Sequence, residues 1–157
     1  MKKFLICLVL ISFVSLSGYS QGVDNLLKKA SSDRNVEKVK VDGFMMFLGK
    51  MLGGMSDKPV MKGIKSVEVF ELSDGDAKLK SDFFNLFNNT KNEKGYETLI
   101  FVKDKEDGIR ILMKKEKDII KDLVLLCKDE KEPVIIRFTG KIKEQDIDKL
   151  VNQYNNK

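Results

Sequence analysis

Residues 96–140 read YETLIFVKDKEDGIRILMKKEKDIIKDLVLLCKDEKEPVIIRFTG, which is four apolar runs separated by three charged segments. The runs are rich in Ile, Val, Leu and Phe, and each has the length of a strand. The charged segments between them cannot be buried, because each charge would need a partner or lose its hydration. Short polar connections favour antiparallel pairing, since a parallel return needs a dozen or more residues. We therefore predict a four-stranded antiparallel meander.

A turn signal lies between the first two runs, and apolar residues alternate along the second run. Asp107-Gly108 indicates a hairpin, because glycine tolerates the positive φ that such turns require. In the second run Ile109, Ile111 and Met113 alternate with a second set of residues that we assign to a wetter face: Arg110, Leu112 and Lys114. Alternate side chains of a strand point to opposite faces of the sheet. We therefore predict that Ile109, Ile111 and Met113 form the buried face of their strand.

The third run, Leu123–Cys127, is apolar at every position. This pattern predicts a strand in the middle of the sheet, covered on both faces, and a helical segment is the alternative. Cys127 would be the only cysteine left after removal of the N-terminal leader described below. We interpret it as a small buried hydrophobe, and a reactive thiol or an intermolecular disulfide is the alternative. The absence of any histidine to act as its base argues against a catalytic thiol.

Upstream of the meander, the pattern predicts a lead-in followed by a strand and a helix. Residues 21–35 are mostly polar and are interpreted as a mobile lead-in with a turn or two of helix around Val23–Ala30. A half-exposed strand is predicted at Val36–Val41. From Phe44 to Met55, apolar residues recur at the i, i+3, i+4, i+7 spacing of an amphipathic helix.

A second strand and helix precede the meander, and a third helix follows it. The strand is predicted at Ile64–Leu72 and the helix at Ala77–Asn89, with Asp76 as its N-cap. After the fourth run, Thr139-Gly140 is expected to turn into the last helix. Its apolar stripe consists of Ile147, Leu150, Val151 and Tyr154.

The predicted order is β-α-β-α-β-β-β-β-α within a single α+β domain over residues 36–157. The sheet is mainly antiparallel, and three main helices pack on it.

The helix that begins at Phe44 is apolar on almost every side. Met45 flanks its apolar stripe, Met46 points nearly opposite to the stripe, and Lys50 dilutes the outer face. Such a helix is either buried on two sides or in contact with something outside the domain. Met45, Met46 and Lys50 are therefore candidate partner-contact residues, and additional core is the alternative.

The N-terminus has the three parts of an export signal. Lys2 and Lys3 form a basic region, and residues 4–14 form an apolar region too short to span a bilayer comfortably. Small residues follow, so we predict a signal peptide at residues 1–20 that is cleaved between Ser20 and Gln21. An N-terminal membrane anchor or a buried helix is the alternative. We expect a periplasmic or secreted protein.

Composition limits the possible chemistry. The chain has 29 Lys and Arg against 24 Asp and Glu, for a net charge of +5. These charges are interleaved, so no basic stripe suits a nucleic-acid backbone. There is no His, which is the commonest general base and metal ligand, and no phosphate-binding or dinucleotide-binding motif. We expect no cofactor, no metal site and no enzymatic activity; hydrolysis by a carboxylate pair remains as an alternative.

Several segments in a fixed order resemble a known family. They are FMMFLGKML (44–52), MKGIKSVEVF (61–70), FFNLF (83–87), GYETLIFVKD (95–104), LVLLC (123–127), VIIRFTGKI (134–142) and IDKL (147–150). From about Asn25 to Val151 the chain is similar to the Bacteroidetes envelope proteins grouped as domain of unknown function 4252. The resemblance implies a small exported protein with no catalytic residues to carry over. Many relatives look like lipoproteins, but no cysteine stands next to the predicted cleavage point here, which puts a membrane tether in doubt.

Three functions are compatible with these observations. The leading hypothesis is a non-enzymatic envelope module that binds another envelope protein. The first alternative is a carrier of a small apolar ligand such as a lipid, held between helices and sheet. The second alternative is a carboxylate-dependent hydrolase.

Overall fold

The computed structural model of the chain describes residues 22–40, 62–89 and 95–155. Within these ranges the secondary structure elements, in chain order, are α1 (Val23–Ser32), β1 (Glu37–Lys40), β2 (Ile64–Glu71), α2 (Ala77–Asn88), β3 (Glu97–Lys103), β4 (Gly108–Glu116), β5 (Ile119–Lys128), β6 (Val134–Lys143) and α3 (Glu144–Asn155). The α+β class and the order of the predicted strands and helices are confirmed for the described elements. The helix predicted from Phe44 lies outside the described residues.

The six strands form one sheet in the order β1-β2-β6-β5-β4-β3, and every neighbouring pair is antiparallel. The predicted C-terminal meander is confirmed as β3-β4-β5-β6. The run Leu123–Cys127 belongs to β5, between β6 and β4, so its placement in the interior of the sheet is correct and the helical alternative is wrong.

Helices α1 and α2 cover one face of the sheet, which we call the helix face. Its buried core consists of Val23, Leu26, Leu27, Ala30, Val36, Phe70, Leu72, Leu79, Phe83, Leu86, Phe87, Tyr96, Leu112, Val124, Leu126 and Ile135. Because α1 supplies four of these side chains, residues 23–32 belong to the packed domain. The helix predicted around Val23–Ala30 is therefore present, but its packing differs from the mobile lead-in expected over residues 21–35. The spacing of Val23, Leu26, Leu27 and Ala30 is that of an amphipathic helix.

The other face of the sheet, which we call the α3 face, carries a second core cluster. It contains Val67, Met113, Ile120, Phe138, Ile142 and Ile147. Ile147 comes from α3 and is buried, as its predicted stripe requires. A row of apolar side chains also crosses this face in register, one from each strand: Val39, Val69, Ile136, Leu125, Ile111 and Ile100.

The prediction for the two faces of β4 was wrong for most of the strand. Arg110 and Leu112 are 1% and 0% exposed, whereas Ile109 is 44% exposed and Ile111 is half-buried. The cause is tertiary: α1 and α2 pack on the face that bears Arg110 and Leu112. Met113, on the α3 face, is buried as expected.

The start of the last helix also differs from the prediction. β6 continues through Gly140 to Lys143, and α3 begins at Glu144. Gly140 is needed inside the strand because a Cβ there would overlap the carbonyl oxygen of Gly63. Glycine at this position therefore permits a close approach of two backbones and does not mark a turn.

Two local predictions concern the start of α2 and the hairpin between β3 and β4. The Asp76 side chain accepts a hydrogen bond from the Leu79 N–H at 2.7 Å, which confirms the predicted N-cap. A hairpin joins β3 to β4 as predicted, but Asp107-Gly108 does not form its turn, because Gly108 is the first residue of β4, pairs with Lys103 and has no positive φ. A Cβ on Gly108 would lie 2.6 Å from Cζ of Phe87.

Candidate functional site

The partner-contact residues proposed from the sequence, Met45, Met46 and Lys50, lie outside the described residues. The surface of the described part of the chain includes an apolar border at an edge of the sheet and a polar groove beside α1.

The apolar border lies at β3 and β4. We call Phe101, Val102 and Ile109 the β3–β4 border; they are 41%, 60% and 44% exposed. Val102 and Ile109 are register partners on the α3 face. Phe101 points to the helix face, where its ring lies 5.4 Å from the ring of Phe87. Apolar surface is thus exposed on both faces of the sheet at the same place.

The backbone of β3 is paired on one side only within the described residues, because β3 ends the strand order. A hydrogen bond in the turn between β3 and β4 shows which backbone groups of β3 point away from β4. The N–H of Asp104 donates to the carbonyl of Asp107 at 2.9 Å. Hydrogen-bonded and non-hydrogen-bonded pairs alternate along an antiparallel ladder, so the next pair, Lys103 with Gly108, is non-hydrogen-bonded.

Applied along the strand, this alternation directs the N–H and C=O groups of Lys103 and Phe101 away from β4. Those of Val102 and Ile100 point toward β4. A bulge between Thr98 and Ile100 interrupts the ladder. The regular, outward-bonding part of the edge is therefore Ile100–Lys103.

A buried cation supports the border from within. The guanidinium of Arg110 donates to the carbonyls of Leu86 at 2.6 Å and of Asn89, at the C-terminus of α2. It also donates to Oγ1 of Thr98 at 2.8 Å, in β3. Its Cζ lies 5.9 Å from the centre of the Phe101 ring. Arg110 therefore ties α2, β3 and β4 together, and its positive charge complements the negative end of the helix.

The polar groove lies between α1 and strands β2 and β6 and has a volume of about 390 Å³. Its lining residues are Asp24, Leu27, Lys28, Ser31, Ser32, Glu68, Phe70 and Arg137. The two carboxylates lie close to cations: Asp24 is 3.7 Å from Nζ of Lys114, and Glu68 is 3.5 Å from Nη1 of Arg137. Charges of both signs therefore alternate around an apolar floor.

A hydrogen-bonded network lies behind the groove. Nη2 of Arg137 donates to Oδ2 of Asp122 at 2.7 Å, and this hydrogen bond is the main reason that the pKa of Arg137 is raised. The Tyr96 hydroxyl lies 3.0 Å from Asp122 Oδ2 and 3.1 Å from Asp24 Oδ1, and its single proton can be donated to one of them at a time. Burial, followed by the charge of Asp122, raises the pKa of Tyr96 far above its usual value. The hydroxyl is therefore a donor here and not a base.

Cys127 lies half-buried in β5, and burial raises the pKa of its thiol. The side chain was predicted to be buried, so it is more exposed than expected, and the raised pKa lowers the fraction of the reactive thiolate. In the described ranges, no three His, Cys, Asp or Glu residues are grouped so that they could hold a metal ion. None of the described helices is both long enough and apolar enough to cross a membrane.

Sequence reasoning missed both surface features. Phe101 and Val102 lie in a run that reads as ordinary strand core, and only the strand order places them at an edge. The sequence signal that could have indicated an edge strand is the charged residue at each end of the run, Glu97 and Lys103. The groove residues come from α1, β2 and β6, which are far apart in the chain.

The chain was compared with protein families, curated proteins and solved structures. A family model described as domain of unknown function (DUF4252) matches residues 30–150. No curated protein and no solved structure matches the chain. Since the family match covers most of the chain, this protein belongs to the DUF4252 family.

Proposed function

We propose that this protein is an exported, non-enzymatic module that binds another protein of the cell envelope through the β3–β4 border. The observation that carries the proposal is the exposure of Phe101, Val102 and Ile109 at one edge of the sheet. Large apolar side chains grouped at an edge cost solubility and mark contact surfaces more often than isolated ones do.

Export is supported by the sequence of the first 20 residues, with its basic start, apolar middle and small residues before Gln21. N-terminal sequencing of the protein recovered from outside the cytoplasm tests this part. A mature chain that begins at Gln21 is expected, and a full-length chain retained in the cytoplasm contradicts it.

The absence of catalysis is proposed from the chemistry of the chain. It has no histidine, and the two groove carboxylates, Asp24 and Glu68, each lie beside a cation. Tyr96 holds its proton tightly. The two carboxylates are placed to form ion pairs, and the Tyr96 hydroxyl is placed to donate a hydrogen bond.

Binding through the border is tested by site-specific photocrosslinking in cells that produce the full chain. A photoreactive amino acid replaces Val102 in one variant and Asp148, an exposed residue of α3, in a matched control. We expect a covalent adduct with one other protein at position 102 and none at position 148. The captured protein is then identified, purified and titrated against the wild type and Val102→Lys.

A charge at position 102 would have to be desolvated in the complex, so Val102→Lys should weaken binding by at least about tenfold. Equal binding by the two forms, or equal adducts at positions 102 and 148, contradicts the proposal. Unchanged thermal unfolding of Val102→Lys serves as the control for folding, because this side chain is mostly exposed.

A further inference from the structure

We infer that the partner binds by strand addition: an extended segment of the other protein pairs with the Ile100–Lys103 half of β3 and continues the sheet. This inference rests on the proposed function and names the form of the ligand. The segment carries apolar side chains on both of its faces.

The backbone of β3 defines the shape of this ligand. The N–H and C=O groups of Phe101 and Lys103 point away from β4, as derived above, and β3 ends the strand order. Such outward groups repeat along the strand with the spacing of the sheet itself. An extended chain matches that spacing and a helix does not, because the backbone groups of a helix bond internally.

The side chains define its chemistry. Beyond the edge, an added strand would place successive side chains alternately on the two faces. On the helix face its neighbour is Phe101, and on the α3 face its neighbour is Val102, with Ile109 one strand further in. Because Phe101 and Val102 are apolar and exposed, apolar residues at consecutive positions of the ligand would be buried on both faces.

A comparison with the opposite edge of the sheet supports the choice of β3. Among the described residues, which stop at Lys40, β1 reads EKVK, and three of these four residues are charged. Edge strands with lysines resist the addition of further strands. Strand β3 has seven residues, ETLIFVK, with charges only at its two ends. The bulge between Thr98 and Ile100 disrupts regular pairing only in the N-terminal half of β3, so Ile100–Lys103 can still pair with an added strand.

The test removes one outward N–H and leaves the rest of the edge in place. Lys103→Pro deletes the amide proton that points to the ligand, and proline is tolerated where an edge strand faces solvent. Lys103→Ala is the matched control, because both variants lose the lysine side chain and its 2.9 Å hydrogen bond to Asn88. Thermal unfolding of both variants verifies that they fold.

The probe is a displayed library of random nine-residue peptides selected on the immobilised mature protein. We expect enrichment of peptides with a central apolar run. Their affinity should fall about tenfold for Lys103→Pro relative to Lys103→Ala, since one buried carbonyl of the peptide loses its donor. Equal affinity for the two variants, or no enrichment over an unrelated protein, overturns strand addition.

The crosslinking experiment separates this inference from the proposed function. If the adduct at position 102 and the affinity for the captured protein persist in Lys103→Pro, protein binding stands and strand addition is overturned. If no adduct forms at position 102 in the wild type, the proposed function itself fails. An adduct between two copies of this chain contradicts the choice of another protein as partner.

Discussion

Replacement of Arg110 by methionine tests how the border is supported. Arg110 is 1% exposed, and its guanidinium donates to three carbonyls at the C-terminus of α2 and to Thr98. Methionine keeps an unbranched apolar stem in the same space and removes every donor. The carbonyl of Leu86, 2.6 Å from Nη1 in the native protein, would lose this charged partner.

The expected loss follows from these contacts. A hydrogen bond from a charged donor contributes roughly 1.5–3 kcal/mol, and a cation at a helix C-terminus adds about 0.3–1 kcal/mol. Structural relaxation and the entry of water recover part of the lost stabilisation. We therefore expect Arg110→Met to lower the free energy of unfolding by about 4 kcal/mol. With a urea m-value of about 1.5 kcal/mol/M, the midpoint of unfolding falls by roughly 2.7 M.

Urea unfolding followed by circular dichroism measures this change. Arg34→Met is the matched control, because Arg34 is exposed, and its free energy of unfolding should change by less than about 0.5 kcal/mol. A double-mutant cycle with Thr98→Val isolates the link between β4 and β3. If Arg110→Met costs less than about 1 kcal/mol, the account of Arg110 as the support of this edge is wrong.

Three further predictions concern individual side chains. Asp76→Ala removes the N-cap of α2 and should cost about 1 kcal/mol in urea unfolding, whereas Asp76→Ser should recover most of it; equal loss in both would refute the cap. Gly108→Ala places a Cβ 2.6 Å from Phe87 Cζ and should cost about 1–3 kcal/mol, and an unchanged midpoint would show that this contact gives way freely. Because the pKa of Tyr96 is raised on folding, its contribution to stability is complete below about pH 10 and is lost as the pH rises further. Tyr96→Phe should flatten the fall of the urea midpoint above that pH, and an identical fall in both proteins would contradict the buried hydroxyl.

Local patterns were sufficient for most of the elements. The charged segments between apolar runs indicated four strands. Because these segments are short, the strands were predicted to be antiparallel neighbours. Asp76 was recognised as a cap because its position before Leu79 and Phe83 is a local property of the chain. Each of these features depends on residues close in sequence.

Features that depend on tertiary packing were not predictable in this way. The face of β4 that is buried depends on where α1 and α2 lie, so Arg110 was assigned to the wetter face although it is almost fully buried. A buried arginine is stable only because the end of α2 and Thr98 supply acceptors, and these come from other elements. The exposure of Val102 depends in the same way on the strand order.

Residues 23–32 show a second kind of error. Val23 and Ala30 complete a helical stripe with Leu26 and Leu27, but the polar composition around them favoured a lead-in. The burial of all four side chains shows that a short stripe of small and branched residues can join a core. The candidate contact residues at 45, 46 and 50 lie outside the described residues and stay a prediction.

Amide hydrogen exchange along β3, measured by NMR on the mature protein alone and with the captured protein or an enriched peptide bound, tests the central claim most directly. In the free protein, the amides of Phe101 and Lys103 should exchange quickly and those of Ile100 and Val102 slowly. On binding, Phe101 and Lys103 should become protected while Ile100 and Val102 change little. If Phe101 and Lys103 still exchange quickly in the complex, the edge of β3 is not the binding site and the account is wrong.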